Sequence, residues 1–144
     1  MPSKDERSAK PGYLEKGLVA YSDPYVIAVN GRLLRGDVFG CIFGISQFPY
    51  AIEAVFPVGP YEIKINPLNF ETIDKGHQYR PTIQNHNGSS VSACMFLDPA
   101  FEHISAIWAA DMDGTYVIGN SHVLAVEHNP NAVNPIPPGL LPAH

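Results

Sequence analysis

Residues 25–35 read YVIAVNGRLLR, an apolar run that meets the pair Asn30-Gly31 and then continues with two leucines. A two-residue type I′ turn needs positive φ at both central positions, which Asn, Asp and Gly tolerate. Such a pair between apolar runs therefore favours a β-hairpin. The pairs Asn87-Gly88 and Asp113-Gly114 repeat the pattern later in the chain. Three of them in one short chain predict an antiparallel β fold.

Apolar alternation extends this prediction along the chain. Tyr61, Ile63 and Ile65 alternate with polar residues, which is typical of a half-solvated strand. Further strands are predicted at 37–45, 51–58, 82–85, 91–97, 103–110, 115–118 and 121–127. We expect an all-β fold, an antiparallel sandwich or small barrel of about eight or nine strands with little helix. For residues 47–56 a helix is the alternative, because Ile52 and Val55 lie three apart.

The length of 144 residues is that of one domain. Residues 1–17 form a predicted flexible polar arm, residues 18–128 the all-β domain, and residues 129–144 an extended Pro-rich tail. Residues 67–80 are predicted to be a long polar connection. Because Ile136, Leu140 and Leu141 are costly to leave in water, we expect the tail to dock on its own fold or on a neighbouring subunit.

The charge balance excludes two classes of partner. The chain has a net charge of −5, and four of its nine basic residues lie in the first sixteen positions. A body this acidic does not suit nucleic acid or an anionic membrane surface. Charged residues make up only 16% of the chain, against about 25% in an average soluble protein. The low charge favours a homo-oligomer, with a β surface rich in neutral polar residues as the alternative.

The cysteines and the chain start predict a cytoplasmic protein. Cys41 and Cys94 each lie in an apolar run, which favours buried free thiols over a disulfide. The first residues contain no apolar core of a secretory signal, and no run approaches the ~18 apolar residues of a membrane span.

The six histidines are the most chemical feature of the sequence. His122 and His128 would lie about 20 Å apart along a strand, too far to share a metal ion. A site that joins His77 or His86 with His103 and with Asp111 or Asp113 stays open, and isolated turn and surface histidines are the alternative. Catalytic residues and metal ligands stay unassigned. No nucleophile elbow, phosphate loop or calcium loop is present, and no cofactor is indicated.

One loop concentrates polar side chains that suit binding: His77, Tyr79, Arg80 and His86. Arg80 is suited to a carboxylate, since its guanidinium donates two parallel hydrogen bonds. A solvated loop without a ligand is the alternative interpretation.

These features predict a non-catalytic binding or assembly module. It would self-associate through a low-charge β surface and the Pro-rich tail, or bind a small-molecule or protein ligand. The alternative is a metal-dependent or acid/base enzyme with a His/Asp site inside a β-sandwich or barrel. Whether the chain is an enzyme is not decided by the sequence.

Overall fold

The computed structural model describes residues 9–32, 42–120, 122 and 124–143. Cys41, the return strand of the first predicted hairpin at 33–35, and residues 37–41 of the next predicted strand lie outside the described residues. The described elements in chain order are α1 (Ala9–Glu15), β1 (Val26–Asn30), α2 (Tyr50–Val55), β2 (Val58–Ile65), β3 (Thr72–Tyr79), β4 (Thr82–Gln84), β5 (Ser90–Ser92), β6 (Ala106–Ala110) and β7 (Leu124–His128), with 3-10 turns at Met95–Leu97, Pro99–Phe101 and Gly114–Ile118.

The strands form three small sheets, ordered β1-β6-β7, β2-β3 and β4-β5. The predicted all-β character is therefore confirmed, whereas a sandwich or small barrel of eight or nine strands stays a prediction. The helix α1 lies within the segment predicted as a polar arm. None of the described helices is long and apolar enough to cross a membrane.

The central sheet corrects the prediction of purely antiparallel pairing. β1 runs parallel to β6, with Val26 opposite Ala106 and Asn30 opposite Ala110. β7 pairs with the other edge of β6 in the antiparallel sense. Parallel neighbours need a long crossover connection, and residues 31–105 supply it here. A turn signal reports only neighbours in sequence, so it could not predict this pairing.

The hairpin predicted at Asp113-Gly114 is wrong. The Asp113 carboxylate accepts hydrogen bonds from the Thr115 N–H at 2.9 Å and from the Thr115 hydroxyl at 2.6 Å. These bonds cap a 3-10 turn over Gly114–Ile118, where a strand was expected at 115–118. The antiparallel partner of β6 is instead β7, in the region of the last predicted strand.

The predicted strand at 51–58 is also wrong, and the helical alternative is correct. α2 follows Pro49 and ends before Pro57, because the residue that precedes a proline disfavours helical backbone. One turn of α2 brings Ala51 and Val55 to the same face. There they pack with the rest of the buried core, which is formed by Phe96, Ile104, Ile107 and Ala109.

Two hairpins flank this core. β4 and β5 pair in the antiparallel sense, which confirms the hairpin predicted at Asn87-Gly88. Of the turn residues between β4 and β5, only Gly88 has positive φ, at 82°, so the turn is not type I′. The predicted strand at 91–97 is shorter, because a 3-10 turn follows β5.

The other hairpin pairs β2 with β3 and replaces the polar connection predicted at 67–80. Few apolar residues lie in 72–79, so no alternation announced this strand. We call residues 58–79 the ribbon and residues 66–71 its tip.

The tail packs against its own chain. The Ser105 hydroxyl donates a hydrogen bond to the Asn134 carbonyl at 2.6 Å, and the Trp108 indole N–H donates to the Pro142 carbonyl at 3.1 Å. Ile136 lies between these two points and is 4% exposed. The tail thus closes over the start and the middle of β6.

Candidate functional site

The ribbon has one mainly apolar face, on which Lys75 lies opposite Ile63, and one charged face. Its register pairs Tyr61 with His77, and strand alternation places Ile63 on the same side as Tyr61. The opposite face carries Glu62, Lys64 and Asp74. Lys64 lies 3.4 Å from Asp74 and 3.6 Å from Glu62, and its hydrogen bond to Asp74 is the main cause that raises the pKa of the ammonium group.

His77 joins the apolar face to the body of the protein. Its ring lies between Phe48, at 4.9 Å between ring centres, and Tyr61, at 5.2 Å. Its Nδ1 lies 3.0 Å from the Gly59 carbonyl, which can only accept, so Nδ1 carries the proton that is donated there. This contact fixes the ring orientation.

The other predicted binding residues lie in different surroundings. Tyr79 is on β3 with an exposed side chain. Arg80 directs its guanidinium to Glu53, at 3.8 Å. His86 is an exposed residue of the β4–β5 turn, on another sheet. The ribbon and its end thus hold His77, Tyr79 and Arg80, while His86 belongs to the neighbouring hairpin.

Arg80 faces a carboxylate that is itself buried. Glu53 accepts hydrogen bonds from the N–H and from the hydroxyl of Ser46, both at 2.6 Å. A Cβ at Gly44 would overlap the Glu53 carboxyl group, so the loop passes over this carboxylate only with glycine there. Arg80 therefore faces a carboxylate of its own chain, and recognition of an external carboxylate by Arg80 stays a prediction.

The ribbon leaves large aromatic and aliphatic side chains exposed to solvent. Its exposed apolar residues are Tyr61, Ile63, Ile65, Leu68, Phe70, Ile73 and Tyr79, each between 50% and 91% exposed. An open hollow of about 580 Å³ lies on the ribbon and is lined by Ile63, Thr72, Ile73, Asp74 and Lys75. The arrangement suits the burial of an apolar group beside a charged one.

A second polar cluster forms where the carboxyl ends of β1 and β6 meet. Arg32, just after β1, lies 3.4 Å from Asp111 and 3.3 Å from Asp113. Asp111 is buried and follows β6 directly. The guanidinium therefore bridges two carboxylates and ties the ends of two parallel strands together.

His122 completes this cluster. Its Nδ1 lies 3.0 Å from the Asp111 carbonyl and its Nε2 lies 3.5 Å from the Asp113 carboxylate and 3.3 Å from the Thr115 hydroxyl. Hydrogen bonds from the Thr115 hydroxyl and N–H lower the pKa of Asp113, and His122 and Arg32 act in the same direction. The charged and polar groups of the cluster thus form their ion pairs and hydrogen bonds with one another.

The three histidines of the predicted His/Asp set, His77, His86 and His103, lie apart from this cluster. His103 stacks on Tyr25 with ring centres 6.4 Å apart, and His77 and His86 lie on the two flanking hairpins. Of the predicted His/Asp set, the structure brings together only Asp111 and Asp113, and the histidine that joins them is His122, which was not part of that set. Within the ranges that the structure describes, no three His, Cys, Asp or Glu side chains form a group that could hold a metal ion.

Comparison with known proteins gives no guide to this geometry. No family model, no curated protein and no solved structure matches the chain.

Sequence reasoning missed the apolar part of the ribbon. Leu68, Phe70 and Ile73 fall in a stretch interpreted as a polar connection, and nothing local distinguishes them from scattered loop residues. The available signal was the alternation at Tyr61, Ile63 and Ile65, because an amphipathic strand needs an antiparallel partner nearby.

Proposed function

We propose that this chain is a small assembly module, which associates with a second copy of itself through the apolar face of the ribbon. The observation that carries the proposal is the set of seven large apolar side chains that the ribbon leaves at least half exposed. Large apolar side chains exposed in this number on one hairpin are typical of interaction sites.

The exposed area is of the size that a dimer needs. A fully exposed aromatic side chain offers about 150–250 Å², so the exposed fractions of Tyr61, Phe70 and Tyr79 amount to about 300–500 Å². The four aliphatic residues of the set bring the total to the order of the roughly 800 Å² that each partner buries in a standard interface.

The charge of the ribbon permits two copies to approach each other. Residues 58–79 contain two lysines and three carboxylates, a net charge of −1, whereas the whole chain has −5. On the charged face these groups pair within one chain, as the contacts of Lys64 show. Self-association through the apolar face therefore leaves the ion pairs in solvent and opposes little net charge.

The acid/base alternative draws on the cluster of Arg32, Asp111, Asp113 and His122, where an enzyme would need a free base or nucleophile. Arg32 spans both carboxylates, and His122 contacts both aspartates. This mutual pairing favours a structural role for the cluster, which holds β1 and β6 together. Assembly through the ribbon is therefore a better proposal than acid/base catalysis at the cluster.

Light scattering coupled to size exclusion tests the assembly proposal. We expect a mass of about twice the 15.7 kDa of one chain, which falls toward 15.7 kDa when Ile63→Ser and Ile73→Ser are combined. The matched control combines Val117→Ser and Ile118→Ser, at apolar side chains that are even more exposed than Ile63 and Ile73 but lie outside the ribbon. A wild-type chain that stays monomeric at every concentration reached would overturn the proposal of self-association.

A further inference from the structure

We infer that the two copies exchange their ribbon tips, so that Leu68 and Phe70 of each copy fill the hollow beside Ile63 and Ile73 of the other. This inference rests on the proposed self-association and specifies its geometry.

The tip presents its apolar side chains on an ordered backbone. The Asn66 N–H donates to the Glu71 carbonyl and the Phe70 N–H donates to the Asn66 carbonyl, both at 2.8 Å. The Leu68 N–H donates to the Asn66 side chain at 2.9 Å. A tip closed by these bonds loses little further conformational freedom when it binds, which favours affinity.

Phe70 is the strained residue of this tip. Its φ is 58°, in the left-handed region that is unfavourable for a residue with a Cβ. Strain of this kind clusters at clamps and binding sites, where the side chain it aims has a use. Here it aims a ring that is 81% exposed, beside Leu68 at 91%.

The hollow has the size and the lining to receive this pair. Its volume of about 580 Å³ falls within the roughly 300–1,000 Å³ of clefts that bind ligands. Ile63 and Ile73 supply apolar walls. The exposure of Leu68 and Phe70 shows that a chain does not fill the hollow with its own tip.

Charge complementarity favours the tip of a second copy as the occupant. Two charged residues line the hollow, Asp74 and Lys75. Asp74 pairs with Lys64 at 3.4 Å, whereas the Lys75 ammonium group forms no ion pair among the described residues. Glu71 follows Phe70 directly, so a tip that enters the hollow brings a carboxylate toward Lys75. Two such contacts arise in a two-fold dimer, which closes on itself and does not propagate.

Charge reversal tests this geometry in the full-length chain. By analytical ultracentrifugation, Glu71→Lys and Lys75→Glu should each weaken the dimer about tenfold, since each places like charges together at two symmetric contacts. The double variant restores opposite charges and should recover most of the wild-type affinity. This recovery is the readout that a purely structural role of either residue would not give.

Removal of the anchor provides an independent arm. Phe70→Ala should weaken the dimer about 100-fold or more, because two buried aromatic anchors are lost. The control Tyr21→Ala removes an equally exposed aromatic ring outside the ribbon. Urea unfolding of each variant verifies that the fold is retained.

The outcomes separate this inference from the proposed function. A wild-type monomer overturns both. A dimer that Ile63→Ser with Ile73→Ser disrupts, but that tolerates Phe70→Ala and both charge reversals, overturns the tip exchange and leaves assembly through the ribbon face standing.

Discussion

Glu53 shows how single residues fix the base of the ribbon. Glu53 is 8% exposed, and Ser46, which donates two hydrogen bonds to its carboxylate, is 1% exposed. Burial of a carboxylate is tolerated when hydrogen bonds and an opposite charge compensate it, and Arg80 supplies that charge. Because Arg80 follows β3, this one group links α2, the loop at Gly44 and the end of the ribbon.

Burial raises the pKa of the Glu127 carboxyl group. Glu127 lies on β7 opposite Ile107, whose side chain belongs to the core. Neighbouring His128 lowers the pKa but is the smaller influence. A carboxyl group with a raised pKa in the folded state favours folding in its protonated form. That contribution is complete below the unfolded pKa of about 4.3 and is lost as the pH rises through the folded value.

We therefore expect Glu127→Gln to be more thermally stable than the wild-type protein at pH 7. The difference should shrink to nothing as the pH falls below about 4.3, where both chains are neutral at this position. Melting curves from pH 3.5 to 7.5 check this, with Glu102→Gln as the control at an exposed carboxylate. A difference that does not change with pH would contradict the burial argument.

At the scale of elements, the sequence predicts what neighbours in the chain determine. The β4–β5 hairpin and β2 follow from Asn87-Gly88 and from the alternation at Tyr61, and both form. The parallel pair of β1 with β6 joins residues about 80 positions apart, and no local pattern encodes it. The same limit applies to the candidate site: His77 and Tyr79 stood out as residue types, whereas Phe70 and Ile73 gain their role only from the ribbon.

The glycines of the confirmed and of the wrong hairpin prediction, Gly88 and Gly114, can be compared by substitution. Gly88 has φ of 82°, whereas Gly114 lies outside the left-handed region, and both have open space around them. Gly88→Ala should cost about 1 kcal/mol of unfolding free energy from backbone strain alone. Gly114→Ala should stay within about 0.5 kcal/mol, as surface substitutions usually do. Urea denaturation measures both, and an equal loss at Gly114 would instead favour the hairpin that the sequence predicted there.

At the scale of the whole molecule, the tail packs on its own chain, whereas the sequence predicts self-association through the tail together with a β surface. The tail covers β6 through the contacts of Ser105 and Trp108, and its own Ile136 is buried. The ribbon, in contrast, leaves its apolar side chains in solvent. Stability should therefore depend on the tail and assembly on the ribbon.

Truncation of residues 135–144 puts this separation to the test. The shortened chain loses Ile136 and the acceptor of the Trp108 N–H, so it should unfold at lower urea concentration, and the emission of its single tryptophan should shift to the red.

Ile136→Ala alone should cost about 2–5 kcal/mol of unfolding free energy. The control Leu140→Ala, at a side chain 64% exposed, should change stability by no more than about 0.5 kcal/mol. Because the ribbon is untouched, the truncated chain should keep the dimer mass under native conditions. A truncated chain that remains folded but runs as a monomer would return the assembling role to the tail, since loss of the ribbon contacts could not then explain the change in mass.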